Sequence, residues 1–152
     1  MNEQDHHAME QAPPEASAFA HFQGQWLTDE AALAAAADTF GHIVHDRPVA
    51  VLKPHSADDI IKVIQYARKH GKKVTPRGQG HSTQRQAQVE GGIVIEMSTL
   101  SRIREMDRTS ILVDAGVSWS NLVDYTIPQG LTPPTLTDYL GLSIGGTPIP
   151  FR

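Results

Sequence analysis

Residues 56–70 carry the marks of one amphipathic helix, and apolar runs stand on both sides of it. Ser56 with Asp59 forms the aspartate version of a capping box, and Ile60, Val63, Ile64 and Ala67 recur on one face. Arg68, Lys69 and His70 complement the carboxyl-terminal dipole, and Gly71 ends the run. Residues 49–52 before it read as a strand halted by Lys53 and Pro54, and residues 73–75 after it read as a second. Strand, helix and strand close within about 30 residues, the size of one βαβ unit. This segment sets the frame into which the rest must fit.

At the carboxyl end of the second strand, where α/β folds commonly place ligands, the chain reads Arg77-Gly78-Gln79-Gly80-His81-Ser82-Thr83. Two glycines one residue apart let a backbone approach a ligand closely and take positive φ without a Cβ penalty. Successive N–H groups in such a turn form an anion-binding concavity. Arg77 adds a permanent cation, and the Ser82 and Thr83 hydroxyls add donors suited to phosphate oxygens. By chemistry this is a candidate diphosphate cradle with an imidazole at its end. The plainer reading is a tight turn. A lone Gly-x-Gly does not decide between them, and the third glycine of a dinucleotide fingerprint is replaced by Thr83.

The remaining chain supplies a modest set of elements. Thr28, Asp29 and Glu30 offer an N-cap and early acids to an alanine-rich helix over 31–40, closed near Gly41. Residues 92–97 and 110–115 read as buried strands, and 103–106 as a short one. Ser118 caps a helix bearing Trp119, Leu122, Val123 and Tyr125, brought to an end by Pro128 and Gly130. The aliphatic positions in all of these are read as core.

Charge and composition exclude several classes. A net charge of −4 gives no reason to expect nucleic acid or an anionic membrane as partner. No apolar run approaches the ~20 residues needed to cross a bilayer, and the acidic start is unlike a secretory leader, so a cytoplasmic protein is expected. Cysteine is absent, which removes disulfides, thiolate metal sites and a thiol nucleophile together. None of the 8 histidines falls in a metal-ligand spacing, so no metal site is expected.

Residues 131–147 hold a single acid, Asp138, among apolar and hydroxylic neighbours, followed by Gly145 and Gly146. A carboxylate in apolar surroundings has a raised pKa and is a general-base candidate. Spacing alone favours the alternative, in which Thr137 or Asp138 caps a short helix through Leu142.

Taken in order, Val51-Leu-Lys-Pro-His-Ser-Ala-Asp-Asp-Ile60, Pro76-Arg-Gly-Gln-Gly-His-Ser82, Gly91-Gly-Ile-Val-Ile-Glu-Met97, Val113-Asp-Ala-Gly116 and Gly145-Gly-Thr147 resemble a known family. They are similar to the amino-terminal part of the FAD-binding domain of the vanillyl-alcohol oxidase and p-cresol methylhydroxylase flavoproteins, over about residues 45–147. Gln86 after Gly-His-Ser, with Thr137-Asp-Tyr-Leu140 ahead of Gly-Gly-Thr, most resembles the cytokinin dehydrogenases. The resemblance implies an α+β fold, a small mixed sheet with flanking helices, forming the amino-terminal subdomain of a PCMH-type FAD-binding domain. It implies FAD held through the backbone of Arg77, Gly78, Gln79, Gly80, His81, Ser82 and Thr83, with His81 joined covalently to the flavin 8α carbon. Gln86, Thr137, Tyr139, Gly145, Gly146 and Thr147 would lie near the flavin. Asp138 would take the proton of a substrate amine as hydride leaves. A second flavin bond through cysteine, found in berberine-bridge-like relatives, cannot form here.

Two departures accompany the resemblance. Arg85 stands where the pattern has glycine, and Pro148-Ile-Pro-Phe-Arg152 replaces the run that follows Gly-Gly-Thr in the family. The expected organisation is a disordered tail over 1–22, a partial FAD-binding domain over 23–147 and an aberrant, truncated end over 148–152. The function implied for the parent is oxidation of a small-molecule substrate, an amine or an alcohol. The alternatives are a sugar, alcohol or hydroxy-acid oxidase of the same family, or a non-catalytic remnant binding FAD weakly or not at all.

Overall fold

The computed structural model describes residues 22–147, so the expectations for residues 1–21 and 148–152 lie outside the described residues. Four strands, β1 (Gln25–Leu27), β2 (Ala50–Lys53), β3 (Val74–Arg77) and β4 (Ile93–Glu96), form a mixed sheet in the order β1-β2-β4-β3. β1 runs antiparallel to β2, whereas β2, β4 and β3 are mutually parallel. The βαβ unit is therefore split: β4 lies between the two strands that α2 (Ala57–Lys69) connects.

Side chains on neighbouring strand residues point to opposite faces, which lets the two central strands, β2 and β4, serve two cores. Val51 and Val94 meet Leu33 and Ala36 of α1 (Glu30–Ala37) on one face. Leu52, Ile93 and Ile95 meet Val63 and Ala67 of α2 on the other. Each fully buried aliphatic side chain contributes about 1.5–3 kcal/mol relative to exposure. Ile64, expected on the packed face of α2, is half exposed, and Tyr66 packs there with Ile60 instead.

The start of α2 differs from a capping box. Ser56 occupies the N-cap without a side-chain bond to the helix. Asp59 is fully buried and accepts from the backbone N–H groups of Gln23, Gly24 and His55 at 3.1, 3.0 and 2.9 Å. Burial pushes its pKa up, but these donors and the Ser56 amide more than offset that and hold it below the ordinary value. One carboxylate thus ties the approach to β1 onto the helix. α1 is capped by Asp29, whose Oδ1 accepts from Ala32 N at 3.0 Å, and it ends at Ala37, short of the expected Phe40.

A second, smaller layer follows. β5 (Ile103–Met106) and β6 (Ile111–Val113) form an antiparallel hairpin. Its turn is locked by Asp107, whose pKa is pulled to about 2 by the backbone N–H groups of Thr109 and Ser110 and then by their hydroxyls. Val117, with Trp119 and Leu122 of α3 (Trp119–Thr126), packs against Ile103, Ile111, Val113, Leu140, Leu142 and Ile144. Asp114 is buried, with Arg104 Nε at 2.6 Å and the Arg102 N–H at 3.1 Å. No described helix is long and apolar enough to cross a membrane.

Candidate functional site

The loop leaving β3 and residues 142–147 face one another across a cleft of about 470 Å³. Its lining includes Gly78, Gln79, Gly80, His81, Ser82, Thr83 and Gln86 from one side, and Ser143, Gly146 and Thr147 from the other. The second wall is held by backbone. Ile144 N donates to Val117 O and Gly145 N to Ala115 O, both at 2.8 Å. Trp119 Nε1 donates to Thr147 Oγ1 at 2.6 Å, and that hydroxyl donates to Ser143 O at 3.0 Å.

The first wall has the opposite character. Among the described residues, no amide from 78 to 83 donates to a backbone carbonyl. The Ser82 hydroxyl is buried without a hydrogen-bond partner. A run of unengaged donors at the end of a parallel strand can receive an anion. Gly80 has φ 74°, the left-handed region, and a Cβ there would stand 2.4 Å from Arg77 Nη2. A Cβ on Gly78 would stand 2.3 Å from Ser143 Oγ. Both glycines let the loop lie close on its own supports. These residues fit a diphosphate.

Arg77 corrects an expectation. Its guanidinium does not line the cleft. It turns back to donate from Nη1 to Asp38 O at 2.9 Å and Ala36 O at 3.4 Å, with Nε 3.8 Å from Glu96 Oε2. Burial pushes the Glu96 pKa up against the pull of this cation. The charge expected to touch phosphate is thus engaged beneath the loop.

His81 is half-buried between two aromatic rings. Phe40 stacks on it at 4.7 Å between centroids, and Tyr139 lies at 4.9 Å, tilted by 47°. Phe40 escaped the sequence reading because it falls just beyond α1 in a segment read as helix. Its only signal was a large apolar residue beside Gly41. Gln86 is fixed by its own loop: its Oε1 accepts from Gln84 N at 3.0 Å and its carbonyl from Thr75 Oγ1 at 3.1 Å.

Asp138 also departs from expectation. It is exposed and not in apolar surroundings, its Oδ1 accepts from Thr137 Oγ1 at 3.2 Å, and neither residue lines the cleft. The alternative fails too, since no helix forms over 137–142. Gly145 is absent from the cleft lining; a Cβ there would meet Ala115 at 2.6 Å, so its smallness serves packing.

Comparison with known proteins decides the family. Residues 48–150 match the FAD binding domain family. The chain belongs to it. An uncharacterized oxidoreductase, ORF5 of the fasciation locus of Rhodococcoides fascians, is 37% identical over 124 residues, covering 82% of this chain and 28% of that protein. Cytokinin dehydrogenase 4 of Arabidopsis thaliana is 35% identical over 140 residues, covering 80% of this chain and 27% of the enzyme. The crystal structure of 6-hydroxy-D-nicotine oxidase from Arthrobacter nicotinovorans superposes with a TM-score of 0.65 at 26% identity, covering 72% of this chain and 24% of that one. The chain spans about a quarter of the length of these relatives. Its mixed sheet with flanking helices is the fold expected of the FAD-binding domain.

Proposed function

We propose that this chain is the flavin-anchoring part of an FAD-dependent oxidoreductase of the cytokinin dehydrogenase type, with the diphosphate held by residues 78–83. The carrying observation is the row of amides without protein acceptors, next to the buried, unpartnered Ser82 hydroxyl. Each neutral hydrogen bond contributes about 0.5–1.5 kcal/mol net, and more where the acceptor is charged. Several aimed at one dianionic group therefore make a strong site from backbone alone.

When bound, FAD supplies the electron sink for loss of hydride from a carbon bearing an amine or alcohol. The chain's own residues place and surround it. His81, flanked by Phe40 and Tyr139, is the candidate point of covalent attachment. Gln86, Gly146 and Thr147 flank the same cleft. Asp138, an exposed carboxylate next in sequence to Tyr139, is the candidate base for a substrate N–H proton. These residues alone are expected to bind FAD without turnover.

Titration of the purified chain with FAD, followed by flavin fluorescence, tests the reading. Gly80→Val should abolish binding, and Ser82→Ala should weaken it roughly tenfold. His81→Ala should leave reversible binding in place while removing any yellow colour that survives acid precipitation. Equal affinity in Gly80→Val and the unaltered chain would overturn the assignment.

A further inference from the structure

The loop is supported from below by a single cation, and the support reaches well beyond the loop. Arg77 is the last residue of β3, and its register partner Glu96 is the last of β4. Its side chain is only 14% exposed. An added Cβ on Gly80 would stand 2.4 Å from Nη2, 2.7 Å from Cζ and 3.2 Å from Nε. The Gly80 backbone therefore packs close against the guanidinium group. From the same fork, Nη1 reaches the carbonyls of Asp38 and Ala36 at the end of α1. The Asp38 carbonyl also accepts from Gln88 Nε2 at 3.0 Å, where the chain returns from the loop toward β4. Two residues beyond Asp38 stands Phe40, the ring stacked on His81.

We propose that Arg77 is a positioning residue for the diphosphate cradle and for His81, acting through its planar fork and not as a phosphate ligand. The proposal rests on the diphosphate reading of residues 78–83 and adds how that site is kept in shape. A planar guanidinium with several donors in fixed directions can bridge two helix-end carbonyls and a carboxylate while presenting a flat face to Gly80. A lysine ammonium carries the same charge on a flexible stem and cannot do both. The cation also stays beneath the amides, adding positive potential without occupying the cleft.

The distinguishing experiment compares Arg77→Lys with the unaltered 152-residue chain by NMR and by titration with ADP. If the fork positions the loop, Arg77→Lys lowers the Gly80 amide order parameter from about 0.85 toward 0.6 or less. The ring-current shift of the His81 ring protons collapses as Phe40 is released. ADP affinity falls roughly tenfold, with its dependence on ionic strength unchanged. If Arg77 instead touches phosphate, Arg77→Lys keeps the Gly80 order and the His81 shift and retains most of the affinity; that result overturns the proposal. Failure of the unaltered chain to bind ADP counts against the diphosphate reading, and the two NMR signals still decide the role of Arg77. Should Arg77→Lys lose the dispersed β4 amides, the Arg77→Met, Glu96→Met pair, which leaves no unpartnered buried charge, is measured with the same expectations. Loss of the fold in both overturns the proposal, since Arg77 would then support the whole sheet.

Discussion

The two layers of this chain bury their apolar surface in opposite ways. The four-stranded sheet is covered by α1 on one face and α2 on the other, so Leu52, Val63, Ile93 and Val94 are wholly buried. The β5–β6 hairpin has one helix, α3, together with the segment that carries Leu140, Leu142 and Ile144. Leu112 is 56% exposed, and a cavity of about 490 Å³ opens beside Trp119, Leu122 and Ile144. The first layer is held by side-chain packing. The second leans on backbone: Trp119 N and Ser120 N bond to the carbonyls of Leu142 and Leu140, and Ile144 N to that of Val117. The cleft lies where the two meet, with a rigid floor on one side and a wall stitched by main-chain bonds on the other.

Substitutions can break or sharpen that contrast, and the largest effect belongs to the sheet. Leu52→Ala should lower unfolding free energy by about 4 kcal/mol in urea titration, since neither face can relax into the void. Asp59→Ala should cost about 3 kcal/mol by stranding the buried N–H groups of Gln23, Gly24 and His55. The pH sign follows from its lowered pKa: the Asp59 contribution is fully present above the ordinary value of 3.8 and fades as pH falls through the lowered one. Asp59→Asn should therefore flatten the acid limb of the stability curve. Leu122→Ala should cost only about 2 kcal/mol, because its surroundings already open onto a cavity. A cost equal to that of Leu52→Ala would erase the contrast. The smallest effect is a gain: Arg85 has φ 62°, so Arg85→Gly should stabilise by up to about 1 kcal/mol, read as a shift in the urea midpoint.

That last position shows what a sequence can disclose. Arg85 stands where the cytokinin dehydrogenase pattern has glycine, and the left-handed backbone explains the pattern; Asp46, 3.5 Å from its Nε, partners the arginine here. α2 was legible from its periodicity, and β2 and β4 from the short apolar runs that burial on both faces leaves. β1 was not, since its three residues are held by pairing with β2, and the Gly24 amide just before them by a carboxylate 35 residues away. The helix expected after Thr137 does not form; the chain there instead runs past the start of α3, whose first amides donate to the carbonyls of Leu142 and Leu140. The glycine loop was legible as a site; the direction of the Arg77 side chain and the approach of Phe40 were not, as both depend on the distant end of α1.

The contact between Gly80 and the Arg77 guanidinium also limits the order in which this site can change. A side chain at position 80 is admissible only once position 77 has been cut back and the turn reshaped, whereas position 77 can shrink first without any clash. A paired library at these two positions should therefore be traversed from one side only, giving the pair a built-in mutational direction.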